Sequence, residues 1–466
     1  MKKTLLSMIC ASLLISGCMS KESKINKDIC IEGSIFSGIK EGRINTKLVF
    51  DDSWITTDDN NVFNRDLAKA ASILNADCYF REKDLDKNNQ NRVIFADKTD
   101  EYDYSLIFKE LGFNNTAHIE SFKQKEYNDD QNDSVTMNLA YKNVDDKYDT
   151  FIVVIRGCFS AGEWNGLFDC GAPDINYFNL TGKHSEWENT NVHKGIDVAV
   201  NRAKDYISEF VNEYDTNKPN TILLTGHSRG ATIANILGME YEEENYAKVY
   251  TYAFSPMKAT LNPKDCSSIF NIFDSNDFFV DLIPFSEEKY ERNGTDISID
   301  IKNNVELQKK IAEIKDGNQY ACVSKDFVDS YHALFAEMFK NRESLYIQKT
   351  IEKVFKSKIE AEEKYDEITT LIDSSHLGLD DIMSLSIIKE IDSEYIFAID
   401  YYGASILRGL SKLLAYGSSV YDGLMTVFED DKKAQELFTL LFDNLQDING
   451  AHFIINDYFL VDQDTK

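Results

Sequence analysis

Thr221-Ile222-Leu223-Leu224-Thr225-Gly226-His227-Ser228-Arg229-Gly230-Ala231 is the stretch on which the reading turns. After Pro219 it begins as a short apolar run that reads as a buried strand over 220–225, and helical periodicity follows over 231–241. Gly-x-Ser-x-Gly sits at the junction. The five-residue pattern recurs by chance, so its context carries the weight. A strand running in and a helix running out form a nucleophile elbow, in which a serine is held strained at the tip of a tight turn. Glycine at 226 and 230 has a reason there, because side chains would collide with neighbouring backbone. The helix N-terminus adds partial positive charge beneath Ser228, and the N–H of Arg229 would point at a developing oxyanion. The plainer alternative is a strand-to-helix turn with an incidental serine.

Working outward, Val135, Met137, Leu139 and Tyr141 alternate as a strand, Asp145-Asp146-Lys147 makes a turn, and Thr150–Ile155 is a second strand. Residues 191–214 read as helix, and 249–253 and 269–273 as strands. Upstream, helices are expected over 62–82, capped by Asn61 or Asn64, and over 103–111, ending at Gly112. Strands alternating with helices predict an α/β sheet. All five prolines lie between Pro173 and Pro284. Beyond them helical periodicity takes over: Ile406, Leu407, Leu410, Leu413 and Leu414 share one face, as do Leu437, Phe438, Leu441 and Leu445. Residues 300–445 are therefore expected to be a mainly helical insertion or cap, on a core spanning 34–299.

Five segments, taken in order, resemble the class 3 lipase family, especially its bacterial lipase-like members. Ile155-Arg156-Gly157-Cys158 is similar to the family's F-R-G-T, with Trp164 and Asp169 following as in its W…D. Val192-His193-Lys194-Gly195-Ile196 resembles V-H-x-G-F, and Thr225–Gly230 resembles T-G-H-S-x-G. Tyr252-Ala253-Phe254-Ser255-Pro256 resembles the T-F-G-x-P step, and Ile272–Pro284 the N-x-x-D-x-V-P-x-x-P segment. The resemblance covers about 155–285, with weaker similarity at Asn64–Ala68 and Leu111-Gly112-Phe113. It implies an α/β-hydrolase fold, a Ser-His-Asp triad and an ester-cleaving, lipase-type activity that needs no cofactor and no metal. The family's second oxyanion donor then falls on Cys158, where Thr or Ser is usual. Its N–H still donates, but a thiol is a weaker donor than a hydroxyl. A Cys158–Cys170 disulfide would stiffen the hole.

A serine hydroxyl needs a histidine to take its proton and an acid to orient that histidine; in this fold class they follow in the order Ser, Asp, His. Asp277 fits the acid best, because Asn276-Asp277 ends a strand and apolar residues follow; Asp274 is close by, and Asp281 stands where the family's first Pro is expected. Chain order excludes His118, His184, His193 and His227 as the base and leaves His332, His376 and His452. His332 has the shorter spacing of compact members but sits in an apolar helical stretch. His452, in Gly450-Ala451-His452-Phe453 with Tyr458 beyond, resembles the Ala-His…Tyr close of the bacterial members, and residues 446–466 would return it to the core from a mobile, glycine-bearing loop. Ser228, Asp277 and His452 are the expected triad, with the N–H groups of Arg229 and Cys158 as oxyanion hole. His193 is expected to brace a loop.

The N-terminus reads as a targeting segment. Lys2 and Lys3 precede an apolar run too short to span a bilayer, and Ile15-Ser16-Gly17-Cys18 resembles a bacterial lipobox. Residues 1–17 would be a lipoprotein signal peptide, Cys18 the lipidated residue, and 18–33 a polar tether. The expected location is extracytoplasmic and membrane-anchored. Six further cysteines could pair in an oxidising compartment, but spacing does not choose among them and suggests no zinc site. A formal net charge of −29 over 466 residues excludes nucleic acid as a partner. Two other functions share these features: a non-catalytic surface lipoprotein that keeps the fold for binding, and a serine hydrolase acting on amide or thioester bonds.

Overall fold

In a computed structural model of the chain, the described residues are 29–36, 43–79, 94–95, 104–120, 135–158, 161–168, 171–172, 175–176, 191–282, 290–313, 320–340, 409–428 and 431–462. The expected signal peptide, Cys18, Asp169, Cys170, His184, Pro284, His376 and the periodic residues Ile406 and Leu407 lie outside them.

Near the start, β1 (Ile29–Phe36) and β2 (Arg43–Phe50) form an antiparallel pair, joined at its edge by β3 (Ile94–Phe95). The polar stretch assigned to a tether thus runs into a strand from Ile29 on. The main sheet has seven strands: β4 (Asn115–Glu120), β5 (Thr136–Val144), β6 (Tyr148–Ile155), β9 (Asn220–His227), β10 (Lys248–Phe254), β11 (Ile269–Asp274) and β12 (Thr295–Ile299). Its order is β4-β5-β6-β9-β10-β11-β12; β4, β5 and β6 pair antiparallel, and β6 through β12 run parallel. The two-residue strands β7 (Gly171–Ala172) and β8 (Ile175–Asn176) pair with each other outside it. The β5–β6 hairpin turns at Asp145 and Asp146, whose φ of 54° and 57° supply the twist a tight hairpin demands.

The central strands are buried on both faces, and their side chains divide by alternation. Phe151, Val153, Ile155, Ile222 and Leu224 enter one core cluster; Ile152, Val154 and Leu223 enter the other. The first layer holds α2 (Lys194–Tyr214) and α3 (Arg229–Glu244), through residues such as Ile196, Ala203, Ile233 and Leu237. The second holds α1 (Arg65–Asp77), whose Leu67, Ala71 and Leu74 face the sheet. The Asn64 side chain caps α1 by accepting from Leu67 N at 3.0 Å. The helix is shorter than the 62–82 expected, because Asn64 sets its start. Ser105–Glu110 likewise falls inside 103–111. A mainly parallel sheet between two helical layers, with a strand–serine–helix turn at its centre, is the α/β-hydrolase fold.

Past residue 300 the described elements are helical except where chain links them. Val305–Ala312 joins the α1 layer through Leu307 and Ile311. Lys325–Lys340, Ser418–Val427 and Lys432–Asp443 join the α2–α3 side, burying Phe327, Tyr331, Leu437, Phe438 and Leu441. The chain then crosses back. α4 (Leu445–His452) is followed after Phe453 by α5 (Ile454–Val461), whose Tyr458, Phe459 and Leu460 pack in the α1 layer. No helix among the described residues is long and apolar enough to cross a membrane.

Candidate active site

Ser228 occupies the tip of the turn between β9 and α3 with φ 58° and ψ −127°, a conformation a non-glycine residue holds only when its surroundings impose it. Its N–H donates to Phe254 O at 2.9 Å, and its carbonyl accepts from Thr232 N at 3.0 Å. The two glycines do what the motif requires. A Cβ on Gly226 would lie 2.5 Å from the carbonyl of Gly230, and one on Gly230 would strike the carbonyl of Ile155. The oxyanion segment presses equally close: a Cβ on Gly157 would lie 2.7 Å from His227 O and 2.8 Å from Ser228 Cβ.

The structure brings Ser228, His452 and Asp277 into one hydrogen-bonded chain. His452 Nε2 is 2.7 Å from Ser228 Oγ, and His452 Nδ1 is 2.6 Å from Asp277 Oδ2. The second carboxylate oxygen of Asp277 accepts from Phe279 N at 2.9 Å, at the start of the 3-10 turn Phe278–Asp281. Ser228 and Asp277 are each 3% exposed and His452 9%, so the polar line lies at the edge of the buried interior. Phe279 packs on the His452 ring at 4.4 Å between centroids, and Trp164 backs Phe279 at 5.3 Å.

His452 is the last residue of α4, rather than part of the mobile loop expected for it. Asn456 fastens that helix end by donating from Nδ2 to the carbonyls of Gly450 (2.8 Å) and Ala451 (3.1 Å). The other candidates stand apart. Asp274 takes Tyr320 OH at 2.6 Å and the N–H of Asn276 and Ile301, and burial holds its carboxyl above the ordinary range. Asp281 is surface-facing and pairs with Lys258. His332 lies on Lys325–Lys340, beside Tyr331, which packs on Phe278.

Cys158 follows Arg156 and Gly157 at the end of β6. Arg156 Nη2 meets Glu163 Oε1 at 2.8 Å with both side chains fully buried, which pins this segment to the helix Ala161–Phe168. The Cys158 thiol donates to Glu163 O at 3.4 Å, and burial raises its pKa well above the ordinary value. The thiol is free of a disulfide, and its hydrogen is committed away from Ser228. His193 caps α2, with its N–H on Ala259 O at 2.8 Å and its carbonyl receiving Ile196 and Asp197. No group of His, Cys, Asp and Glu able to hold a metal occurs among the described residues.

Three residues beside this line escaped the sequence reading. Tyr79 OH is 2.5 Å from His227 Nδ1, His227 Nε2 is 3.0 Å from His452 O, and Asp457 Oδ2 is 3.7 Å from His227 Nε2. His227 lies inside the motif, where attention falls on its neighbour. Asp457 follows His452 on the next helix, a spacing that no local pattern marks.

Residues 152–282 match the lipase (class 3) family. That segment carries the end of β6, the elbow and Asp277, and over it the chain is similar to class 3 lipases. Lip2 lipase from Yarrowia lipolytica is 17% identical in structural superposition, with 50% of this chain and 79% of that chain covered and a TM-score of 0.32. The triacylglyceride lipase of Rhizomucor miehei is 16% identical over 37% of this chain and 63% of that chain, at 0.25. M37 lipase is 12% identical over 60% and 81%, at 0.31. No curated protein matches the chain.

Proposed function

We propose that this protein is a serine hydrolase that cleaves carboxylic esters, of the lipid acyl class, through an acyl-enzyme. The carrying observation is the unbroken line from Ser228 Oγ through the His452 ring to Asp277, at 2.7 and 2.6 Å. In that reading Ser228 Oγ attacks the ester carbonyl while its proton passes to His452 Nε2. Asp277 accepts the Nδ1–H and steadies the imidazolium. The N–H groups of Arg229 and Cys158 receive the oxyanion, the C–O bond breaks, and the proton on Nε2 leaves with the alcohol. Water repeats the steps in reverse roles and frees the acid. The class 3 lipase-like segment supports an ester as the bond and a lipid as its source.

The test is turnover of short and long acyl esters together with labelling by a fluorophosphonate. Ser228→Ala is expected to abolish both, and Asp277→Asn to lower kcat by roughly 10³–10⁴. Label retained on the Ser228→Ala protein, or full turnover by it, would overturn the reading. A folded wild-type protein that takes no label would favour a binding protein built on this fold.

The lipobox-like Ile15-Ser16-Gly17-Cys18 supports an extracytoplasmic, lipid-anchored location. Cys18→Ser is expected to move the protein from the membrane fraction to the soluble fraction and to remove fatty-acid label; unchanged fractionation and labelling would refute the anchor.

A further inference from the structure

We propose that His227 is a positioning residue for the base: its Nε2–H holds the main-chain carbonyl of His452, Tyr79 fixes its ring, and elbow and base are thereby locked in one frame. The inference rests on the reading of Ser228, Asp277 and His452 given above.

The hydrogen positions follow from the partners. The His452 carbonyl can only accept, so His227 Nε2, 3.0 Å away, carries the hydrogen. In a neutral ring Nδ1 then holds the lone pair, and the Tyr79 hydroxyl 2.5 Å from it donates. Neutrality has its own support, since the ring is 4% exposed and burial pushes its proton affinity well below the ordinary histidine value, with the nearby His452 ring acting in the same direction. The titratable groups facing the ring are Tyr79 at the end of α1, His452 from α4 and Asp457 from α5. Burial and the negative charge of Asp277 push the Asp457 carboxyl above its usual range.

The consequence is geometric. His227 and Ser228 are consecutive, and each grips His452: one its carbonyl at 3.0 Å, the other its Nε2 at 2.7 Å. Two attachments to one dipeptide fix both where the base sits and how its ring faces the nucleophile. Tyr79 extends the frame, because its hydroxyl occupies the space a Cβ on Gly157 would need. Helix α1, the oxyanion segment, the elbow and the base are joined through one imidazole.

Three variants and one spectrum test this. His227→Leu removes the donor, His227→Gln keeps an N–H at the same number of bonds from Cβ, and Tyr79→Phe removes one hydroxyl. Turnover is expressed per fluorophosphonate-reactive site, so misfolded protein does not count. The expected result is kcat lower by about tenfold to a hundredfold in His227→Leu, about tenfold in Tyr79→Phe, and restored to within a fewfold in His227→Gln, with KM little changed. A ring that only fills space would lower thermal stability and leave kcat per reactive site unchanged; that result in His227→Leu or Tyr79→Phe overturns the proposal. In ¹⁵N spectra of histidine-labelled protein, the resonance lost in His227→Gln is expected to be the neutral Nε2–H form from pH 5 to pH 8. An imidazolium there overturns it as well. Failure of the wild-type protein to label at all would instead strike the hydrolase reading on which this rests.

Discussion

At the scale of single residues, the site contains two buried ionisable groups with opposed pH signatures. His227 has its folded pKa below the unfolded value of about 6.5, so below that pH the unfolded chain binds the extra proton and stability falls as pH falls. Asp457 has its folded pKa above the unfolded value of about 3.9, so above that pH the folded chain binds the extra proton and stability falls as pH rises. Between roughly pH 4 and 6.5 the two slopes oppose each other. Asp457→Asn removes one of them. Relative to wild type, its unfolding free energy should then climb with pH within that window. Urea unfolding at pH 5 and pH 6 measures it, and parallel pH dependences in the two proteins would contradict the assignment. The buried Arg156–Glu163 pair is a separate residue-scale anchor. Glu163→Ala breaks this buried pair and should cost about 3–5 kcal/mol in the same assay.

Elements decide how the site is held. The end of α4 presents His452, and the Asn456 amide ties that end down from α5. Asn456→Ala frees two buried carbonyls and should lower stability by about 1–3 kcal/mol. It should also lower kcat more than it raises KM, because the base moves while the elbow does not; steady-state kinetics on one soluble ester checks this. The elbow itself is legible in the sequence for a physical reason. Its constraints are local: a buried strand, two positions without room for Cβ and a helix start all fall within eleven residues. The partners of that elbow are not local. Asp277 and His452 emerge from chain order and the resemblance to a family, whereas Tyr79 and Asp457 reach the site only through the packing of α1 and α5. The helical character of α4 escaped for the same reason: Gly450 argues for a loop, yet its place is set by packing, since a Cβ there would lie 2.6 Å from Ala321 O.

At the scale of the whole molecule, the sheet divides two cores, and alternation along β6 and β9 assigns each residue to one of them. That pattern is readable from sequence because the period is two. Which later helices cover which core is not, because amphipathic helices state that they bury a face and not against what. Leu223 faces the α1 layer and is fully buried; Leu223→Ala should cost about 2–5 kcal/mol, read as a lowered urea midpoint. The return of the chain from the α2–α3 side to the α1 layer at its downstream end has a temporal meaning. The hydroxyl at 228 is synthesised long before the imidazole at 452 that lies 2.7 Å from it in the folded protein. Under the proposed roles, a chain whose downstream helices have not yet docked carries an elbow with no imidazole beside its hydroxyl.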